Sequence, residues 1–368
     1  MIETAALPSS RSDENPAADP KFRAAADTVG LEWDKLAAYL ASRGHTFDAC
    51  EPPRQFAGGL GNLNYLVTID GAPYVLRRPP MGPIPPGAND MAREFRVLSG
   101  LWKGFPSAPR GLLYCEDSSV LGAHFLIMQY RPGLTIGGEM PPQLDSRAVG
   151  PWLAKTMVGL LSELHRVEPA SVGLETLGKP DRFLTRAVDG WEKRARLAVG
   201  DRPRPIIDEL CAWLRVNQVP GRSPTLLHCD FKLDNIVLDP QDLRPLAVLD
   251  WDMATRGDPL FDLATLLSYW TEASDPPAMH ELKQMPTAQP GFPSRQEIAT
   301  AYASLSGRDL SHFQFYRVLA MFKLGVVFLQ LYARYRAGAS GNARFASFEK
   351  LGDELLEFTH EIARGRAF

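Results

Sequence analysis

Leu227-His228-Cys229-Asp230-Phe231-Lys232-Leu233-Asp234-Asn235, followed after a short apolar hairpin by Leu249-Asp250-Trp251-Asp252, is the stretch whose reading decides the fold. Residues 236–238 and 246–249 read as two strands joined by the seven-residue turn DPQDLRP at 239–245. In an antiparallel hairpin the start of the first strand lies beside the end of the second, so Asn235 and Asp250 become neighbours although fifteen residues separate them. A side-chain amide and a carboxylate held together are hard oxygen ligands, suited to Mg²⁺ completed by phosphate oxygens. Asp230 lies on the loop entering the hairpin, where its carboxylate can face the same space and accept a proton from a hydroxyl.

Phosphoryl transfer needs that arrangement, a metal clamp on the phosphates and one carboxylate at the nucleophile. The spacing His-x-Asp-x-x-x-x-Asn followed by Asp matches the kinase catalytic-loop pattern. On these residues, and on the run Gly257-Asp258-Pro259-Leu260-Phe261-Asp262-Leu263-Ala264, the chain resembles the aminoglycoside phosphotransferase and choline kinase superfamily. Several further stretches are similar to one subgroup, the kinase-like domains fused in front of certain acyl-CoA dehydrogenases. They are YVLRRPP (74–80), MAREFRVLSGL (91–101), LDWDMATRGDPLFDLA (249–264) and PGFPSRQEI (290–298). The resemblance runs from about Phe56 to about Arg336. It implies an α+β, bilobal protein-kinase-like fold, ATP and Mg²⁺ as cofactors, and a small-molecule hydroxyl as acceptor, with a 4-hydroxyacyl-CoA as first candidate. A functional partnership with an acyl-CoA dehydrogenase belongs to the same expectation. Cys229, where glycine is usual, departs from the family pattern.

Upstream, 54–57, 64–69 and 73–78 read as a three-stranded meander, with Asp70-Gly71 as a hairpin signal. The glycine cluster Gly58, Gly59 and Gly61, with Asn62, lets backbone N–H groups approach phosphates. Arg77 stands where a kinase carries its strand lysine, with Glu94 on the next helix as its partner. A guanidinium can bind phosphate and carboxylate bidentately, so the exchange is compatible with nucleotide binding. Asn89 and Asp90 are the candidate cap of that helix, 111–115 and 123–130 its closing hairpin, and Gln129 and Tyr130 the hinge whose backbone meets an adenine.

These readings divide the chain into a disordered tail over 1–30, a β-rich nucleotide-binding lobe over 31–129 and a helical lobe over 130–368. Helices are expected over 152–165, 313–336 and 348–362, and a long loop over 275–293. That loop and the helix after it, with Lys283, Arg295, Arg317 and Lys323, are expected to form a basic mouth for the phosphoadenosine end of a CoA thioester.

Other features have plainer readings. His228 is expected to pack beneath the catalytic loop, Asp258 to cap a helix begun by Pro259, and Asp262 to scaffold the loop. Asp252 is balanced between a second metal ligand and a solvated hairpin residue. A Cys229–His228 nucleophile lacks any sign of a depressed thiol pKa.

Composition narrows the alternatives. Of 368 residues 45% are hydrophobic and 23% charged, and 40 basic against 43 acidic side chains leave a net charge of −3, so no basic excess announces a nucleic acid or an anionic membrane. Cysteines at 50, 115, 211 and 229 form no Cys-x-x-Cys pair, and the first twenty residues lack the apolar run of a signal peptide. A reducing, cytoplasmic compartment is the expectation. The rival readings are an aminoglycoside or other antibiotic kinase, and a nucleotide- or CoA-binding pseudokinase without turnover.

Overall fold

Alternating apolar residues build the first half of the molecule. The computed structural model describes residues 21–48, 50–57, 61–82, 89–338 and 343–368; Gly58 and Gly59 lie outside them. In chain order the first elements are α1 (Trp33–Ala41), β1 (Arg54–Gln55), β2 (Leu63–Ile69), β3 (Ala72–Arg78), α2 (Met91–Gly100), β4 (Gly111–Cys115), α3 (Ser118–Leu121) and β5 (Phe125–Gln129). The five strands form one antiparallel sheet in the order β1-β2-β3-β5-β4. Ile69 pairs with Ala72 across Asp70-Gly71, and positive φ at both turn residues (51° and 75°) matches the right-handed twist of the strands.

Tyr65, Val67 and Ile69 point from β2 to one face, where Leu36 and Leu40 of α1, Val120 and Leu121 of α3 and Phe125 close a small core. The opposite face sends Val75, Leu126 and Met128 into the main core. Asp90 caps α2 by accepting from Arg93 N at 3.0 Å, and Glu94 is fully buried within that helix.

The second half comprises α4 (Ser146–Leu164), α5 (Phe183–Val199), α6 (Pro205–Val216), β6 (Thr225–Leu227), β7 (Ile236–Leu238), β8 (Pro245–Val248), β9 (Thr255–Gly257), α7 (Pro259–Tyr269), α8 (Pro277–Leu282), α9 (Arg295–Ser306), α10 (Phe313–Arg336) and α11 (Phe348–Ala363). All eleven residues of α7 are buried, because α10 covers it and α5 and α11 flank α10. At the α10–α11 crossing Gly325 and Gly352 allow near backbone contact: a Cβ on Gly352 would lie 3.2 Å from Gly325 O. α10 is long and apolar enough to cross a membrane, but 78% of its apolar window is buried inside the protein.

Three expectations change. Residues 21–30 are not part of a free tail, since Phe22 bridges to Phe56 and Tyr65 Oη donates to Val29 O at 2.7 Å. β4 and β5 form the expected antiparallel pair, with α3, capped by Asp117, in their connection. α4 begins at Ser146, earlier than its apolar pattern, because Asp145 caps it and Pro151 is accommodated within it. The loop over 275–293 contains α8, where Pro277 starts a helix at the position at which its missing N–H costs nothing.

Candidate functional site

Two short antiparallel pairs, β6–β9 and β7–β8, flank the loop from His228 to Asn235. Leu249 N donates to Asn235 O at 2.8 Å, so the hairpin brings the residue before Asp250 against Asn235. The loop's sharp entry falls at Cys229, with φ at 66°. A non-glycine residue in this left-handed region costs about 1 kcal/mol or more, and three ties hold it there. Asp262 accepts from His228 N and Cys229 N, both at 2.7 Å, and Lys323 Nζ donates to Cys229 O. His228 Nε2 donates to Leu249 O at 2.8 Å, while its Nδ1 accepts from Asp230 N at 3.2 Å. His228 is thus a brace between the two strand ends, and burial pushes the Cys229 thiol up, away from nucleophilic character.

Asp262 is fully buried. Burial raises its carboxyl, but the hydrogen bond from His165 and the backbone N–H of His228 outweigh it and hold the group below 3.8. Burial lowers the pKa of His165; its Nε2 donates to the Asp262 carboxylate at 3.3 Å and its Nδ1 lies 2.6 Å from Tyr302 Oη. Asp258 caps α7 through Leu260 N and also accepts from Tyr316 Oη at 2.9 Å and Arg222 N at 3.0 Å.

Asn235 donates Nδ2 to Asp230 O at 2.9 Å and to Asp230 Oδ2 at 3.3 Å. With that nitrogen spent, the amide presents its oxygen as a ligand atom. Lys232 Nζ lies 3.6 Å from Asp230 Oδ2 and 3.4 Å from Asp234 Oδ2, and Tyr269 Oη donates to Asp230 Oδ1 at 2.5 Å. Burial raises the Asp234 carboxyl to about 6.

Facing this loop, Arg77 on β3 makes the contacts that strand registers impose. Its Nε lies 2.7 Å from Glu94 Oε2, and its Nη2 pairs with Asp250 Oδ1 and lies 3.9 Å from Asp252 Oδ2. Asn62, in the amide orientation that satisfies it, accepts from Arg77 Nη2 at 2.6 Å. Arg77 therefore joins the sheet, α2 and the Asp250 turn. Burial raises Arg77's carboxylate partner Glu94 to about 8, reinforced by Asp250 and Asp252, while burial and Asp250 raise Asp252 to about 6. Asp250, despite burial, is held low by Arg77, His228 and Lys232. One guanidinium thus faces three carboxyls, and a further cation would relieve their repulsion. The buried Glu94 Oε2 has no hydrogen-bond partner of good geometry. The donor set and the charge imbalance fit a divalent ion at Asn235 and Asp250.

Gly61 and Asn62 lie at the β2 entry beside this cluster. Gln129 ends β5 and is tied to the residue before β4: its N–H donates to Arg110 O at 2.8 Å and its Oε1 accepts from Arg110 N at 3.4 Å. The ring of Tyr130 lies 6.2 Å from that of Phe56. The basic mouth does not form. Arg317 is buried and donates to Ala264 O and Ser268 Oγ, Lys323 is spent on Cys229 O, and Arg295 is buried against Asp275 and Glu272. Of the four, Lys283 is exposed, 3.3 Å from Glu139. Lys232 and Tyr269 join the site without a sequence expectation: the first stands two residues after Asp230, whereas the second is 39 residues away with no local signal.

A kinase-like catalytic loop beneath an antiparallel five-stranded sheet defines the class: an α+β, bilobal protein-kinase-like fold. The chain belongs to the phosphotransferase enzyme family, whose model matches residues 53–298. It is 32% identical over 328 residues to acyl-CoA dehydrogenase family member 11 of Gallus gallus, covering 86% of this chain and 41% of that protein. The chain spans a third to about two fifths of the length of the curated relatives it matches. Among solved structures it is similar to a Ralstonia eutropha protein provisionally described as an aminoglycoside phosphotransferase, with TM-score 0.73 and 24% identity, covering 91% of this chain and 99% of that one. A thermostable mutant of aminoglycoside phosphotransferase APH(4)-Ia, in a ternary complex with ADP and hygromycin B, is similar with TM-score 0.58 and 17% identity, covering 91% and 99%. Both likenesses establish the fold.

Two stability outcomes follow. Asp262→Asn leaves an NH₂ facing N–H donors and should cost about 3 kcal/mol at pH 7. Because the folded pKa is depressed below 3.8, wild-type stability from this group is present above that value and lost as pH falls through the folded pKa. Urea titrations should therefore show the difference between wild type and variant shrinking below about pH 4; a difference constant with pH contradicts the assignment. Arg77→Met, which strands buried Glu94, should destabilise by about 3 kcal/mol, and Arg77→Met with Glu94→Leu should recover much of it. Additive losses in the same titrations would show that the two side chains do not depend on each other.

Proposed function

We propose that this protein is an ATP- and Mg²⁺-dependent phosphotransferase for the hydroxyl of a small molecule. The observation that carries the reading is the hydrogen-bonded unit Asp230–Asn235, tied through Leu249 to Asp250, which sets a carboxylate beside a pair of hard oxygen ligands. Asp230 orients the acceptor hydroxyl and takes its proton as the acceptor oxygen bonds to the γ-phosphorus and the bond to ADP breaks. Asn235 and Asp250 would hold Mg²⁺, which supplies charge neutralisation on the phosphates. Arg77, anchored by Glu94, would bind phosphate oxygens, Gly58, Gly59, Gly61 and Asn62 would offer backbone N–H groups to the phosphates, and the segment at Gln129 and Tyr130 would meet the adenine.

The acceptor we favour is the hydroxyl of a 4-hydroxyacyl-CoA. Its support is the similarity to chains named as acyl-CoA dehydrogenase family members. The basic side chains expected at a CoA mouth are turned inward, so phosphoadenosine recognition falls to other residues. A cytoplasmic setting belongs to the same reading, since all four cysteines are free thiols.

Purified protein with ATP and Mg²⁺ should phosphorylate a 4-hydroxyacyl-CoA in preference to kanamycin, with the free hydroxy acid a far poorer substrate because remote contacts are lost. Asp230→Asn should keep nucleotide affinity and lose kcat by at least about a hundredfold. Coupled ADP-release kinetics check both. Robust activity on an aminoglycoside alone would replace the acceptor; no turnover with any acceptor, alongside normal nucleotide binding, would favour a pseudokinase.

A further inference from the structure

The side chain that aims Asp230 comes from outside the catalytic loop. Tyr269 is the last residue of α7, buried at 8% exposure, and its Oη lies 2.5 Å from Asp230 Oδ1. Asp262, which accepts from the backbone N–H groups of His228 and Cys229, is seven residues earlier on the same helix. Positions seven apart share one helix face, so a single rigid element fixes both the backbone entering Asp230 and the direction of its carboxylate.

The remaining donors sit on the other oxygen. Asn235 Nδ2 is 3.3 Å and Lys232 Nζ 3.6 Å from Asp230 Oδ2. Lys232 also stands 5.2 Å from the centre of the Tyr269 ring and donates to Gln284 Oε1 at 3.3 Å, so it is held in place as well. An ionised carboxylate has about four lone-pair sites, two on each oxygen. With Oδ2 crowded by two cationic or amide donors and Oδ1 carrying the phenol, the second lone pair of Oδ1 is the place left for an incoming hydroxyl. Burial, then the charge of Asp230, pushes the phenol pKa up, so Tyr269 remains a donor.

We propose that Tyr269 is a positioning residue for phosphoryl transfer: its hydroxyl locks Asp230 in the rotamer that offers one lone pair to one acceptor hydroxyl. The inference rests on the phosphotransferase reading above. It assigns Tyr269 no covalent step, and its proton stays on the phenol while the acceptor's proton goes to Asp230.

Tyr269→Phe keeps the ring beneath Lys232 and removes the hydroxyl alone. Expected are a loss in kcat for transfer of about tenfold or more, the scale of a misaimed general base, an ATP KM within about twofold of wild type, and an unchanged melting temperature. Hydrolysis of ATP by water, measured without acceptor, should fall less, so the transfer-to-hydrolysis ratio drops. In an Asp230→Asn background Tyr269→Phe should have no further effect, because the residue acts through Asp230. Full activity of Tyr269→Phe, additive losses in the double variant, or a fall in melting temperature with equal loss of transfer and hydrolysis would overturn the role of Tyr269. A wild-type protein that neither transfers nor hydrolyses the γ-phosphate would overturn this role together with the phosphotransferase reading.

Discussion

The rest of the site depends on a buried carboxylate that is not itself a candidate for chemistry. Asp262 receives two backbone N–H groups from the loop and one imidazole N–H from His165, the residue that follows α4, and so converts the first turn of α7 into a socket for the catalytic loop. A strained residue in the left-handed region persists when its surroundings over-determine it. Cys229 meets that condition, with Asp262 on its N–H and Lys323 on its carbonyl. Glycine would adopt the turn without the Cβ penalty; here the ties perform the work that glycine's freedom would otherwise make unnecessary.

A second constraint is electrostatic. Arg77 spans three partners, where a lysine ammonium at the same place would act as a point charge. Its planar fork reaches Glu94 through Nε and Asp250 through Nη2, so sheet, helix α2 and the Asp250 turn meet on one side chain. Burial, reinforced by the neighbouring carboxylates, keeps Glu94 and Asp252 raised, and one guanidinium against three carboxyls makes the cleft receptive to a cation.

Much of this was legible before any coordinates. The loop spacing, the Asp70-Gly71 turn and the span of α10 depend on local rules, namely hairpin geometry, turn residues and apolar continuity, and the structure follows them. Burial of charge was not legible in the same way. Arg317 and Lys323 read in the sequence as part of a basic mouth, yet α10 is enclosed by α5, α7 and α11, and both side chains end on backbone oxygens. Apolar neighbours at 318–322 and 324–326 gave the available hint, since two isolated charges among them cannot form a solvated face. Arg295 escaped because its partner Asp275 is twenty residues away, across a proline-rich segment that conceals α8. Tyr269 escaped for a related reason: a tyrosine ending an apolar helix reads as core, and contact with Asp230 becomes visible only when α7 is docked beneath the loop.

The central claim is that Asn235 and Asp250 clamp a divalent cation in company with a nucleotide. Its most direct test is electron paramagnetic resonance of Mn²⁺, used in place of Mg²⁺ and titrated into the wild-type protein and Asp250→Asn with and without ADP. The account predicts tight Mn²⁺ binding by the wild type that requires ADP, weakened by at least about tenfold in the variant, the smallest effect expected of losing a metal ligand. Equal Mn²⁺ binding by the two proteins in the presence of ADP would contradict it.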